Sequence, residues 1–146
     1  MEPSSKEKTC NRFEITFRDV KGFEKPMPSP RPRFRNAGKF VQTYMPTSYK
    51  NHKNFIQRQM PKLLIEGSIK LTVLFEMPML KSWSNPQKQR MIKAYHSKKP
   101  DIDNLLKTVL DAANGHVWID DGQIVEIHSA KRYAETTKIK IKVEVL

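Results

Sequence analysis

Two pairs of aspartates have the type and spacing to do chemistry: Asp101 and Asp103 in KKPDIDNLLK, and Asp120 and Asp121 in VWIDDGQ. Each pair has an ordinary structural explanation. An aspartate at a helix start accepts hydrogen bonds from free backbone N–H groups and complements the helix dipole, and Asp121-Gly122 suits a tight turn. Capping explains one aspartate of the first pair well, two less well, and the second pair not at all. Asp103 and Asp121 stand 18 positions apart, so a helix start and a turn could bring Asp101, Asp103 and Asp121 to one point. Three carboxylates so placed repel one another unless protonated or bridged by a cation. Every donor is a hard oxygen, with no Cys or paired His nearby, which selects Mg²⁺ over zinc, with Mn²⁺ as a substitute. Such a site activates water and stabilises the leaving oxygen in phosphodiester hydrolysis.

The element that must present the first pair is a helix predicted over Asp101 to Asn114, stopped at Asn114-Gly115. At about 100° per residue, Ile102, Leu105, Leu106, Val109, Leu110 and Ala113 share one arc that faces a core. Asp103, Lys107 and Asp111 step along the opposite arc. Lys107 has two readings of equal weight. One is an i, i+4 partner for Asp103 worth a few tenths of a kcal/mol. The other is a cation aimed at the charge developing on a scissile phosphate. Asp111 is expected to face Lys107 or solvent rather than a metal. Glu126 is a further candidate for the metal shell. His96, His116 and His128 lack ligand-like spacing.

The formal net charge is +12 over 146 residues, with a pI near 9.9. Such an excess favours a polyanionic partner through long-range attraction and counterion release. Arg31, Arg33 and Arg35 alternate in a Pro-rich stretch, and in an extended chain they would point one way. With Lys93, Lys98 and Lys99, which lead into the aspartate motif, they are the expected DNA contacts. Lys81, Lys88 and Arg90 belong to the same basic approach. Trp83, Tyr95 and Phe34 are candidates for stacking on unpaired bases, although aromatic residues more often fill cores. The single cysteine, Cys10, cannot form an internal disulfide or a Cys-rich zinc site. MEPSSKEKTC lacks the apolar run of a signal peptide, and no stretch reaches the roughly 20 apolar residues of a membrane span. A soluble, cytoplasmic protein is expected, without a membrane partner.

The remaining elements form one expected domain, residues 11–146, after a flexible N-terminus over 1–10. RFEITF, residues 12–17, alternates as a strand does. Residues 25–40 are rich in proline, which disfavours helix. Residues 47–64 fit a helix capped by Thr47 or Ser48. SIKLTVLFEM, residues 68–77, is a strand whose Ile69, Leu71, Val73 and Phe75 share a face. Ser84 or Asn85 before Pro86 opens a short helix, and KAYHSKK is read as loop. Residues 123–133 and 138–145 are two further strands, the last one half-buried with a charged outer face.

The aspartate region resembles the RusA family of Holliday-junction resolvases of bacteria and phages. The family's pattern is Asp-x-Asp-Asn-Leu-x-Lys, then Asp-Ala, a short link, and aromatic-x-Asp-Asp-x-Gln. This chain has Asp101, Asp103, Asn104, Leu105 and Lys107, then Asp111 and Ala112, then Trp118, Asp120, Asp121 and Gln123, in the same order and spacing. The resemblance covers Lys98 to about Lys131, with a looser likeness at Arg31-Pro32-Arg33, Tyr44 and Pro46. It implies metal-binding acids at Asp101, Asp103 and Asp121, a catalytic lysine at Lys107, and a mixed α/β fold. It also implies a homodimer with two active sites and cleavage of four-way DNA junctions. The expected architecture is α+β: a mixed, mostly antiparallel sheet packed against two or three helices, dimeric. Leu80 to Ser97 is long and basic beside compact members. Two other readings are a phage endonuclease acting on flaps, forks or duplex DNA, and a non-enzymatic basic nucleic-acid-binding protein.

Overall fold

The computed structural model describes residues 10–31, 33–38 and 40–146, and of residues 33–35, 37, 40 and 42 it describes the backbone only. The chain forms β1 (Cys10–Thr16), β2 (Arg33–Ala37), β3 (Phe40–Tyr44), α1 (Thr47–Arg58), β4 (Ile69–Pro78), α2 (Asn85–Met91), α3 (Ile102–Ala113), a 3₁₀ turn (Asp121–Gln123), β5 (Ile124–Ala134) and β6 (Lys138–Val145). β2 and β3 make a separate ribbon, and the other strands form one sheet in the order β1-β6-β4-β5. This is the expected α+β class with a mixed, mostly antiparallel sheet and three helices.

β4 is the spine. Ile69, Leu71, Val73, Phe75 and Met77 alternate along it and all are buried. On one side it pairs antiparallel with β6, placing Leu71 opposite Val143 and Phe75 opposite Ile139. On the other it pairs parallel with β5. The strands predicted over 123–133 and 138–145 therefore follow each other in sequence but are not neighbours, because β4 lies between them. Phe55 and Ile56 of α1 and Leu105, Val109, Ala112 and Ala113 of α3 join the buried strand residues in one core. α2 buries no residue. No described helix is long and apolar enough to cross a membrane.

A parallel pair requires a crossover connection, and the one from β4 to β5 carries α2 and α3. α3 consequently runs back against the two strands. Its far end, at Asn114, meets the segment leading into β4 through the bridges Ile65–Trp118 and Asn114–Trp118. Its near end, at Pro100, is held by Lys131 from the later half of β5.

Several local expectations are corrected. α1 ends at Arg58 rather than at Leu64. Residues 63–65 instead pair with the chain after α3, through Leu63 N and Leu64 N to His116 O and Ile65 N to Val117 O. The residue preceding α1 is Pro46, with no side-chain cap, so neither Thr47 nor Ser48 caps the helix. The loop expected over 93–99 is partly laddered, since Lys93 N and His96 N donate to Tyr133 O and Lys131 O. Ser84 does cap α2, accepting from Gln87 N.

The segment before β2 is strapped across both long helices. Met27 N donates to His52 Nε2 at 3.0 Å, which fixes Nε2 as the acceptor, so Nδ1 carries the proton and donates to Gly22 O at 3.0 Å. Burial lowers the pKa of this wholly buried imidazole and favours the neutral form these bonds require. Thr108 Oγ1 donates to Met27 O and Ser29 N to Asn104 O, tying the same segment to α3. His52→Ala should destabilise the protein by about 2–4 kcal/mol, combining a cavity with two lost buried partners. A urea melt reads this directly, and an unchanged midpoint would show that the strap is held elsewhere.

Candidate active site

Asp101 precedes α3 with extended backbone, φ −70° and ψ 144°, the geometry of a capping residue, yet its side chain makes no capping hydrogen bond. The carboxylate turns instead to Lys99, whose Nζ lies 3.1 Å away. The ordinary explanation for an aspartate at this place therefore fails. Asp103 is exposed one position into the helix, and its side chain has no hydrogen-bond or ion-pair partner among the described residues. The two acids border a cleft of about 460 Å³, shared with His96, Lys98, Lys99 and Lys131.

The second acidic pair divides its labour. Asp120 is structural: its carboxylate accepts from Gly122 N at 2.9 Å, and its own N–H donates to Gln123 Oε1 at 2.8 Å. The Gln123 amide then donates to Ile65 O and Gly67 O at 2.8 and 2.9 Å, pinning the turn to the chain that enters β4. Asp121 is thereby presented rather than consumed. Trp118, wholly buried, donates its indole Nε1–H to Asp121 Oδ1 at 2.7 Å. Asp121 N donates to Asn114 Oδ1. Oδ2 is left without a partner among the described residues. Burial raises the Asp121 pKa, the Trp118 hydrogen bond opposes that rise, and the charges of Asp111 and Asp120 add to it.

The convergence of Asp101, Asp103 and Asp121 within one chain does not occur. Asp121 is anchored to Asn114, past the last residue of α3, whereas Asp101 precedes the first. Twelve residues separate these ends, about 18 Å at 1.5 Å of rise per residue. Among the described residues no three His, Cys, Asp or Glu side chains come together to hold a metal ion. The physical reason is the antiparallel run of α3 against β4 and β5.

Lys107 is exposed on the ridge one turn after Asp103, and the i, i+4 ion pair with Asp103, one of its two readings, is not formed among the described residues. Asp111 departs from expectation. It faces neither Lys107 nor open solvent alone but accepts from the buried Tyr49 hydroxyl at 2.7 Å. Burial and Asp111 together push the Tyr49 pKa up to about 12, which keeps this donor protonated. Glu126 pairs with Lys70 at 3.4 Å, away from the acids of α3. Arg31, Lys93, Lys98 and Lys99 are exposed. Arg33 and Arg35 lie in β2, and their side chains and that of Phe34 are outside the described residues, as are residues 1–9 of the expected flexible N-terminus. Trp83 packs on Tyr133, while Tyr95 is 68% exposed and stacked by Arg132 at 4.1 Å.

The oxygens of Asp101, Asp103 and Asp121 suit a hard cation, two from one end of α3 and one from the other. Sequence reasoning missed Tyr49 and Lys131. The signal for Lys131 was a charge at an inward position of a strand; Tyr49 carried none. In the metal-free protein, folded Asp121 holds its proton to higher pH than unfolded Asp121. Stability therefore falls as pH rises through the unfolded carboxyl pKa, and the loss is complete above the folded one. Asp121→Asn, which can still accept from Trp118, should raise the metal-free melting temperature by a few degrees at neutral pH and leave it unchanged at acidic pH. A drop at neutral pH would contradict this.

The chain is 29% identical over 143 residues to an uncharacterized Bacillus subtilis (strain 168) protein, YqaN, covering 92% of this chain and 95% of the relative. The family model for endodeoxyribonuclease RusA matches residues 24–144, which include every element from β2 to β5, all of β6 but its last residue, and both acidic pairs. The chain belongs to the RusA endodeoxyribonuclease family.

Proposed function

We propose that this protein is a Mg²⁺-dependent endonuclease, with Mn²⁺ as a substitute, that resolves four-way DNA junctions as a homodimer. The family supports junction-resolving endonuclease activity. The observation that carries the rest is the separation of uncommitted acids to opposite ends of α3. Neither end alone offers three uncommitted carboxylates, since Asp111 accepts from Tyr49 and Asp120 from Gly122 N beside Asp121, so a site built from Asp101, Asp103 and Asp121 draws on two chains.

The open edge of β5 supports this. β5 ends the sheet, and among the described residues its outer side is laddered only where residues 93–96 lie against 131–133. The uncovered stretch carries Val125 and Ile127, 60% and 43% exposed, next in sequence to the turn bearing Asp121. Ile119, at 51%, adds to the patch. An unpaired edge with apolar side chains invites pairing with a second chain. A two-fold axis crossing near Glu126 and Ile127 would lay two β5 strands antiparallel. Asp121 of one protomer would then come level with Arg132 of the other, at the end where Asp101 lies.

In that arrangement Asp101 and Asp103 of one protomer and Asp121 of the other hold the cation. When bound, the cation supplies Lewis-acid activation of water and stabilisation of the leaving oxygen. Trp118 fixes one oxygen of Asp121 so that the other points to the site. Lys107, unpaired among the described residues and on the same ridge as Asp103, donates to the non-bridging oxygens of the phosphodiester and steadies the charge developing there. Arg31, Arg33, Arg35, Lys93, Lys98 and Lys99 are the proposed contacts to backbone phosphates, which makes binding salt-dependent. Two symmetric sites suit paired cuts across a branch point.

Asp103→Asn should retain junction binding and lower Mg²⁺-dependent cleavage by about 10³-fold, the scale of several kcal/mol of charge stabilisation. Undiminished cleavage would remove Asp103 from the site. Linear, three-way and four-way substrates run in parallel test the preference for junctions, and equal cleavage of all three would replace resolution by a broader nuclease activity. Mixing tests the two-chain site. In a heterodimer of Asp103→Asn with Asp121→Asn, a shared arrangement leaves one site intact and the other doubly broken. The mixture should therefore nick single strands where each parent is inactive. Absence of nicking in a mixture that exchanges subunits would mean that each site is built within one chain.

A further inference from the structure

Lys131 has an unusual place for a lysine. In the β4–β5 ladder Ile127 stands opposite Leu71, Ser129 opposite Val73 and Lys131 opposite Phe75. Lys131 thus occupies a position on the sheet face that the helices cover, level with a wholly buried phenylalanine. Burial there lowers its pKa, opposed by the nearby charge of Asp101. An apolar side chain of the same length would fill this place without desolvating an ammonium group, so packing alone does not call for a charge.

The ammonium group is spent on the loop that delivers Asp101. It donates to Lys98 O and to Pro100 O, each at 2.6 Å, and these are charge-assisted bonds of the stronger kind. Pro100 O belongs to the peptide group that leads directly into Asp101. The backbone of Lys131 holds the same loop farther back, since its carbonyl accepts from His96 N at 3.0 Å. One residue thereby grips residues 96–100 at three points. Asp101 lies just outside the helix, so its backbone is set by this loop: it makes no capping bond, and its Lys99 partner is exposed. Asp103, by contrast, is fixed by the helix that contains it.

We infer that Lys131 is the positioning residue for Asp101, setting the loop that delivers this carboxylate to the cation while not itself touching cation or substrate. The inference rests on the metal-site reading above. Outer partners that orient metal ligands typically matter by about 10–100-fold in metal affinity or activity.

Lys131→Met tests it, with Lys131→Arg as the second variant should the first fail to fold. Arginine keeps the charge but cannot place one ammonium between two carbonyls. Two readouts are taken on folded, full-length protein: amide hydrogen exchange over residues 98–103 without metal, and the midpoint of a Mn²⁺ titration followed by binding and by junction cleavage. The expected result is faster exchange confined to this loop, a midpoint raised about 10-fold or more, and junction affinity unchanged. Unchanged exchange over 98–103 overturns the inference, as does an unchanged titration midpoint. A purely structural role would lower the melting temperature and speed exchange across β5 without moving the midpoint. If wild-type protein cleaved no junction, the endonuclease reading would fail by itself, and the exchange measurement would still decide whether Lys131 holds the loop.

Discussion

The direction of α3 relative to the parallel pair β4–β5 is the constraint from which the rest follows. Parallel strands cannot be joined by a tight turn, so the chain must return along the sheet before β5 can begin. Here α3 makes the return, burying Leu105, Val109, Ala112 and Ala113 against the inward face of the sheet. Whatever stands just before α3 therefore lies near the later half of β5, and whatever stands just after it lies near the start. The two acidic pairs of the sequence sit at these two places. Their separation in one chain is thus a consequence of topology and not of a poorly placed loop.

That constraint also marks the boundary between what the residues disclosed and what they did not. Period-two alternation in β4 and β6 and the apolar arc of α3 specify burial directly, and those elements agree with expectation to within a residue or two. Gly115, with φ +71°, ends the α3 region where a left-handed residue was needed. The overlong α1 failed for a tertiary reason. Residues 63–65 bond to the backbone after α3, and local propensity cannot register a partner more than 50 positions away. Of the proposed acidic site, the oxygen chemistry could be read from residue types, whereas the geometry could not. Asp101, Asp103 and Asp121 were recognisable as oxygen donors, yet whether two segments converge depends on strand direction, which periodicity does not encode. Tyr49 was invisible for a similar reason, since its bond to Asp111 joins α1 to α3.

The acids of the proposed site are held by groups that would not themselves be donors to a cation. Around Asp121, the indole of Trp118, the amide of Asn114 and the Asp120–Gln123 capping box satisfy the local backbone and fix one carboxylate oxygen. Around Asp101, Lys131 plays the comparable part from the sheet. Tyr49 does the same for Asp111, whose charge bears on Asp121. In each case a buried or half-buried side chain from the scaffold orients an acid at the surface, so that little rearrangement is left for the moment of binding.

The cost of this arrangement falls on the metal-free protein. Asp121 is partly withdrawn from water and lies beside two other carboxylates, and both effects raise its pKa. The indole hydrogen bond relieves this only in part. Lys131 is withdrawn from water as well, in a chain that already carries a net charge of +12. Neither feature helps a protein whose only task is to bind a polyanion, for which exposed lysines suffice. A concentrated negative site within a positive surface has a physical use once a cation is present, because the cation relieves the repulsion among the acids and meets the phosphate on equal terms. The crowding of carboxylates at Asp121 therefore accords with the cation site proposed above.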